Sequence, residues 1–367
     1  MKISFCTVCM NRLHHLQETL LQNLSDTRDE IDIDFVILNY NSSDNMEEWC
    51  KRKLSQEILA GRVKYFKTTD PHSFSHSHSK NMLFKLAEGE IVCNINADHY
   101  IGEGFSQLIR SVFSQYVSCV LTPADYHNTD SLHVVAKDVF GKVCLRKKDF
   151  LSVGGFDERM TNYGFEDWDL VNRLELTGVK RVLLKDPAFL RFIAHSEEER
   201  YDLKTEVPVI FVHHYTPTES EIIYLHKNGR FEKGRIINNK TKGAEKYIYA
   251  YKRRTGKFQF SLRSGQWQKG SWFDSSPGVM ELQYDSRPVT TKKYLKKRGE
   301  LREFGASTQF HQIDVGEVVS QLVTFNYLSH NRFLLEANLK TKNSRLNKAK
   351  FGHASVTYNF SEKVYSI

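Results

Sequence analysis

Two adjacent carboxylates, Glu166 and Asp167, stand at the start of a helical pattern in the stretch G-G-F-D-E-R-M-T-N-Y-G-F-E-D-W-D-L-V-N-R, Gly154 to Arg173. Leu170, Arg173 and Leu174 follow at spacings of three and four. The dipole at a helix N-terminus favours negative charge, so carboxylates placed there stay ionised. A fixed, ionised carboxylate takes a proton from a hydroxyl, which is general-base chemistry. Acidic residues at a helix start also serve simply as caps and dipole partners. The G-G-F-D-E run, the Tyr163-Gly164 pair and the E-D-x-D-L sequence together go beyond what capping requires.

Other polar clusters punctuate the chain. The apolar run I-V-C-N-I-N, 91–96, leads into Asn96-Ala97-Asp98-His99. Carboxylate oxygens such as those of Asp98 suit hard divalent cations, Mg²⁺ or Mn²⁺. A polar turn at a strand end is the plainer reading of the same residues. The first apolar stretch ends in T-V-C-M-N-R and the second in N-Y-N-S-S-D-N. The segment F-S-H-S-H-S-K-N, Phe74 to Asn81, places His76, His78 and Lys80 at spacing two. His-rich tracts bind metals, but this spacing does not put the three on one helical face.

Together these segments resemble the inverting glycosyltransferases of the GT-A fold, family-2-like, with a C-terminal catalytic segment of the galactosyltransferase type. The resemblance spans roughly residues 1–215. It implies Asp167 as the catalytic base, with Glu166 beside it. It implies that the base and ribose of a nucleotide-sugar lie at Thr7, Asn11 and Arg12 after the first strand, and at Asn39 and Asp44 after the second. Asn39 replaces the usual acid, and its amide retains the groups to bond a uracil edge. Lys80 and Asn81 fall near the diphosphate. Asn96-Ala97-Asp98 takes the place of the D-x-D motif, with Asp98 on the metal and Asn96 toward the ribose or an outer-shell water. The stretch F-L-R-F-I-A-H-S-E-E-E-R resembles the one whose histidine completes the metal site, which points to His195, with His213 and His214 as rivals. Tyr163 takes the place of the acceptor platform, since aromatic rings pack on the apolar face of a sugar. Trp168 is left to core packing.

The cofactor that follows from this resemblance is Mn²⁺ or Mg²⁺, and the donor a UDP-sugar. The reaction is transfer of a hexose, with inversion, to a hydroxyl of a glycan or lipid-linked glycan, as in bacterial surface polysaccharide synthesis. Two other classes stay open. One is a retaining transferase on the same fold. The other is a non-catalytic glycan- or membrane-binding protein, prompted by Asn96 and by a basic C-terminal part.

The elements that must position these groups are read from pattern. Residues 3–9, 33–39, 62–67 and 91–96 read as strands, alternating with helices near 13–24, 45–60 and 77–88. Such alternation gives βαβ units and a mostly parallel, Rossmann-like α/β sheet. Ligands of such sheets bind beyond the strand C-termini, where every motif above falls. After about residue 220 the pattern becomes β-rich α+β: a hairpin turning at Asn228-Gly229, strands at G-K-F-Q-F-S-L-R and V-M-E-L-Q-Y-D, a helical region near 313–338, and an extended V-T-Y-N-F. The expected division is 1–220, nucleotide-sugar binding and catalysis, and 221–367, a basic module facing an anionic acceptor or a membrane.

Composition bounds the rest. The 367 residues are 40% hydrophobic and 12% aromatic, ordinary for a folded chain with room for two domains. The net charge of +8 is unevenly spread: residues 1–220 are net acidic and 221–367 strongly basic. No zinc-finger, RNP or helix-turn-helix pattern accompanies the basic part, so nucleic acid is not an expected partner. The six cysteines include one C-x-x-C pair, Cys6 and Cys9, without a second. They read as free thiols in a reducing compartment. No run approaches eighteen apolar residues, and the N-terminus reads as a buried strand rather than a signal peptide. The expected location is the cytoplasm, with peripheral contact at the inner face of a membrane as an option.

Overall fold

The computed structural model describes all residues except 124–138, 162, 196–206, 217–218, 238–266 and 348–350. It contains two compact units: residues 1–194 together with 331–367, and residues 195–330. The expected break at 220 therefore gives way to an earlier one, and the last 37 residues return to the first unit. The division falls within a helix, which no composition shift marks.

The first unit is built on one mixed sheet. Its strands are β1 (Ile3–Cys9), β2 (Ile33–Tyr40), β3 (Val63–Thr68), β4 (Ile91–Asn94), β5 (Cys119–Thr122), β6 (Cys144–Arg146) and β7 (Lys180–Leu183). Two more strands, β16 (Ser355–Tyr358) and β17 (Val364–Ser366), extend it, and the order is β17-β16-β3-β2-β1-β4-β6-β5-β7. The pairs β1–β2, β1–β4 and β2–β3 are parallel, as the alternation of elements requires. β6 is antiparallel to both β4 and β5. All eight residues of β2 are buried, in keeping with the apolar Phe35–Leu38 at its centre. Two hydrophobic clusters cover the faces of the sheet. One is built around Phe5, Phe35, Ile37 and Phe105, the other around Leu38, Phe84, Phe150 and Leu170.

The helices of this unit are α1 (Leu13–Asp26), α2 (Met46–Lys53), α3 (Ser55–Leu59), α4 (His76–Leu86), α5 (Phe105–Gln115), α6 (Lys147–Ser152) and α7 (Glu166–Leu176). The single helix expected over 45–60 is broken at Leu54, whose backbone N–H caps α2 while Leu54 opens α3. The chain ends with α8 (Gly316–Thr341), followed by the β16–β17 hairpin, which adds antiparallel to the edge of β3.

The second unit is a closed antiparallel barrel of eight strands, β8 (Val209–Thr216), β9 (Glu219–Leu225), β10 (Arg230–Ile237), β11 (Gln268–Ser276), β12 (Val279–Tyr284), β13 (Thr290–Lys297), β14 (Glu300–Glu303) and β15 (Gln309–Ile313). The Asn228-Gly229 turn joins β9 to β10 as expected, with Gly229 at φ +77°. V-M-E-L-Q-Y is β12, whereas the G-K-F-Q-F-S-L-R strand lies outside the described residues. Phe211, Phe231, Leu282, Tyr294 and Phe310 are among the residues of its core. Closure removes the exposed edges that a β-rich segment would otherwise present.

The free-thiol reading holds for Cys6, Cys9, Cys50 and Cys119, all buried. It does not hold for Cys93 and Cys144. These face each other in register across β4 and β6 and are joined as a disulfide. Residues 51 apart in sequence carry no local sign that they will be neighbours. Among the described residues, no helix is long and apolar enough to cross a membrane.

Candidate active site

Glu166 and Asp167 open α7, as the pattern requires. The turn that delivers them is strained. Gly164 sits at φ +97° and Phe165, the N-cap residue, at φ +68°, a conformation that a bulky side chain rarely adopts. The Nδ2 of Asn331 in α8 donates to the Gly164 carbonyl at 2.7 Å and so braces the turn. Phe165 packs edge-on against Trp168 at 5.3 Å, and Trp168 belongs to the core as expected.

Both carboxylates are nearly buried, at 3% and 7% exposure. Two buried anions side by side need a countercharge. Lys80, from α4, supplies it: its Nζ lies 2.9 Å from Glu166 Oε1 and 2.8 Å from Asp167 Oδ1. The resemblance places Lys80 near the diphosphate; the structure turns its ammonium onto the E-D pair. Burial pushes the Asp167 carboxyl up; Lys80 opposes this and the Glu166 charge adds to it, leaving it at about 7. Burial also works against the Glu166 charge, but Lys80 and His76 outweigh it and hold its pKa below the ordinary value. His76 Nδ1 lies 3.8 Å from Glu166 Oε1, and its ring meets that of Tyr163 at 5.6 Å. Glu166 Oε2 is buried without a hydrogen-bond partner among the described residues.

The neighbouring loop is equally anchored. Asn81, also expected near the diphosphate, donates through Nδ2 to the Phe156 carbonyl and Glu158 Oε1, and accepts the Phe156 N–H. Gly155, at φ +71°, lets this happen: a Cβ there would lie 2.4 Å from Asn81 Oδ1. Deeper in, Asn338 of α8 donates to Asp157 Oδ2 at 3.0 Å and to Asp169 Oδ1 at 2.7 Å. Asp169 also takes Arg173 Nε at 2.7 Å, and Arg173 donates to the carbonyls of Val153 and Gly155. The motif is thus a closed polar network in which each carboxylate is met by a donor.

The residues after β1 and β2 are brought together. Asn11 donates its N–H to Ser42 Oγ at 2.7 Å and accepts the Ser43 N–H at 2.8 Å. Asp44 accepts the Leu13 N–H at the start of α1, and Arg12 occupies the N-cap position there. Thr7 lies within β1 and is buried. Asn39 donates to Tyr65 Oη at 2.8 Å and accepts the Ser42 N–H at 2.8 Å. Its amide therefore holds the β2 loop.

At the end of β4, Asn94 donates to Asn96 Oδ1 and to the Gly141 carbonyl. Asp98 is buried, 3.7 Å from His99 Nε2, and its carbonyl accepts the Ile193 N–H at 2.8 Å. Lys142, wholly buried, donates to the carbonyls of Tyr100 and Phe189. Burial pulls its pKa down to about 7, with the Asp98 charge opposing. His195 follows Ile193 by two positions and is half-buried. His213 and His214 lie in β8 of the barrel, bonded through Nδ1 to the Gln309 carbonyl and to Ser220 Oγ. Among the described residues, no three His, Cys, Asp or Glu side chains cluster in an arrangement ready for a metal.

Residues 4–167 match the description of glycosyl transferase family 2, and residues 134–213 match one described as the N-terminal domain of galactosyltransferase. The second match contains the whole segment from Gly154 to Arg173. Over residues 4–213 the chain is thus similar to glycosyl transferases. The family-2 match runs from β1 through β6 and ends on Asp167. No curated protein matches the chain by sequence. Among solved structures, Staphylococcus aureus TarS 1–349 is similar at 17% identity and a TM-score of 0.42, over 55% of this chain and 63% of that one. The Pyrobaculum calidifontis mannosyltransferase PcManGT, solved with GDP-Man and Mn²⁺, is similar at 16% identity and 0.40, over 50% and 55%. The chain therefore spans less than two thirds of the length of either.

Sequence reasoning missed Asn331, Asn338 and Lys142. The two asparagines lie more than 160 residues from their partners, and no local pattern announces them. Replacing Asn338 by Ala is expected to cost about 2–4 kcal/mol, because it removes a donor from two buried carboxylates. Urea unfolding measures this; a change within about 0.5 kcal/mol would show that the network does not depend on Asn338.

Proposed function

We propose that this protein is a glycosyltransferase that moves a hexose from a nucleotide-sugar, a UDP-sugar in the first place, to a hydroxyl of a glycan acceptor with inversion at the anomeric carbon. One observation carries the reading. Asp167 is a buried carboxylate at the head of α7, with Lys80 as its countercharge and a pKa near the middle of the working range. A base with a pKa near the operating pH is both available and strong enough to draw a proton from a hydroxyl. Asp167 takes the acceptor proton as the oxygen attacks the anomeric carbon. The nucleoside diphosphate leaves on the opposite face. Tyr163, with His76 against its ring, offers the apolar face on which an acceptor sugar packs.

A divalent cation, Mn²⁺ or Mg²⁺, fits the donor set at the end of β4. Asp98 is a buried carboxylate, and an oxygen donor of this kind suits them. Such cations accept one or two protein ligands and fill the remainder with phosphate and water. Asp98 would hold the ion, which when bound neutralises charge on the diphosphate. Asn11, Arg12 and Asp44 lie on the interlocked loops that would receive the nucleoside. We assign the enzyme to surface polysaccharide synthesis at the inner face of a membrane. The basic residues 221–367 favour an anionic acceptor or surface there. On β13, Lys292, Lys293 and Lys296 pair with Glu303, Glu281 and Asp274, so part of this charge is already balanced.

Asp167→Asn keeps the shape and removes the base, so kcat should fall about 10²–10⁴-fold with donor affinity unchanged. In the unmutated enzyme, kcat should fall as pH drops below about 7, because a protonated Asp167 cannot accept a proton. Transfer by the Asn variant at close to the unmutated rate would rule out Asp167 as base.

Asp98→Ala should raise the Mn²⁺ concentration needed for half-maximal activity, and weaken Mn²⁺ binding measured by calorimetry in the presence of UDP. His213→Ala should do neither, since its imidazole is bonded within the barrel. A defect confined to the His213 variant would move the ligand to the barrel.

Attraction of an anionic acceptor is screened over about 8 Å at physiological salt. Raising salt should therefore increase the KM for acceptor more than that for donor. Equal response of both would leave the basic residues as a solvated surface.

A further inference from the structure

We propose that Lys80 is a positioning residue, the fixed counter-ion that orients the Glu166–Asp167 pair and keeps it serviceable as a base, and not a ligand of the donor phosphates. The proposal rests on the reading of Asp167 as the base, and its test separates the two.

The geometry leaves Lys80 little freedom. Its Nζ is 2.9 Å from Glu166 Oε1 and 2.8 Å from Asp167 Oδ1, and its side chain is only 6% exposed. The Phe156 ring packs 5.2 Å from the same atom. An ammonium has three donors, and two of them already point to carboxylates. The helix that carries it is locked as well. Asn81, the next residue, is bonded to Phe156 and Glu158, and Ser77 Oγ donates to the Met160 carbonyl. α4 thus grips both the G-G-F-D-E loop and the carboxylates of α7. To reach a phosphate, Lys80 would leave two buried anions without a cation, a costly state.

Among the described residues, the charged groups recorded against the pair come from two helices. α4 contributes Lys80 and His76; α7 contributes Glu166 and Asp167 themselves. Asp169 is turned to Arg173 and Asn338, and Glu158 to Asn81 and the Gly352 N–H. Burial alone would pull the Lys80 pKa down, but the two carboxylates more than offset this and raise it. Lys80 therefore stays charged at every pH where the enzyme works. Its field favours loss of the Asp167 proton, so its removal must make that proton harder to lose.

The test uses the full chain with Lys80→Met and Lys80→Arg. For the Met variant, kcat at pH 7 should fall about 10²-fold or more. The acid limb of its kcat profile should move up by about one pH unit or more, and UDP affinity by calorimetry should stay within about threefold. The Arg variant keeps the charge, so its limb should stay near that of the parent even where kcat is reduced. A phosphate ligand would behave oppositely: UDP affinity would drop about tenfold or more and the limb would not move. That result overturns the proposal.

Where the Met variant is too slow to assay, its stability still reports. Two buried carboxylates without a cation bind protons more tightly when folded than unfolded. Stability should then fall more steeply between pH 6 and pH 8 than in the parent. An unchanged pH dependence of urea unfolding overturns the proposal. Should Asp167→Asn remain active while Lys80→Met shows these shifts, the base assignment fails and the counter-ion role stands.

Discussion

Two carboxylates cannot share a buried pocket unless a cation meets them, and the cation must come from somewhere else in the chain. Here the demand is met by one lysine, Lys80, reaching from α4 to the head of α7. Much of the catalytic half follows from holding those two helices in register. Asn81 bonds α4 to the backbone of Phe156. Gly155 keeps open the space that this bond needs. Arg173 and Asn338 close the network beneath, and Asn331 fixes the strained turn above. Buried polar networks are costly when half satisfied and rigid when complete. This one leaves a single carboxylate oxygen, Glu166 Oε2, without a partner among the described residues, at the point where chemistry is expected.

The α/β core was legible because its signals are local. β2 is buried on both faces and is apolar from Phe35 to Leu38, and α1 and α4 fill the gaps between strands. The start of α7 was legible for the same reason: acidic residues follow an aromatic-glycine turn. What pattern could not show were contacts between distant residues. Cys93 and Cys144 meet because β6 runs antiparallel to β4. The final hairpin joins β3 across nearly 300 residues of chain, so composition alone set the domain boundary in the wrong register with the architecture. The basic C-terminal part appeared as one module because charge is summed along the sequence, whereas packing returns residues 331–367 to the first unit.

The same distinction explains the site. The residue types that the proposed chemistry uses were visible at Asp167 and Asp98. The directions of side chains were not. Lys80 and Asn81 stand where phosphate ligands stand in the resembled family, but a lysine at the buried face of α4 meets whichever anion lies nearest, and here that is the E-D pair. Asn39 is similar. In place of an acid, it is engaged by Tyr65 and by the Ser42 N–H. An amide supplies both a donor and an acceptor, so it can tie two neighbours where a carboxylate would bond only donors.

This substitution has a consequence at β4. The D-x-D position holds Asn96, whose Oδ1 accepts from Asn94, which also donates to the Gly141 carbonyl. Gly141 precedes Lys142, whose pKa burial pulls down to about 7 while the Asp98 charge opposes the fall. The loss of one carboxylate at Asn96 therefore leaves Asp98 in the field of a buried amine that is charged only in part near neutral pH. Fewer negative charges weaken the pull on a divalent cation. In its charged form that amine weakens it further, because like charges repel. Under the proposed metal role, such a site would favour an ion that binds mainly when a diphosphate brings its own negative charge, with Asp98 supplying orientation and the substrate most of the binding charge.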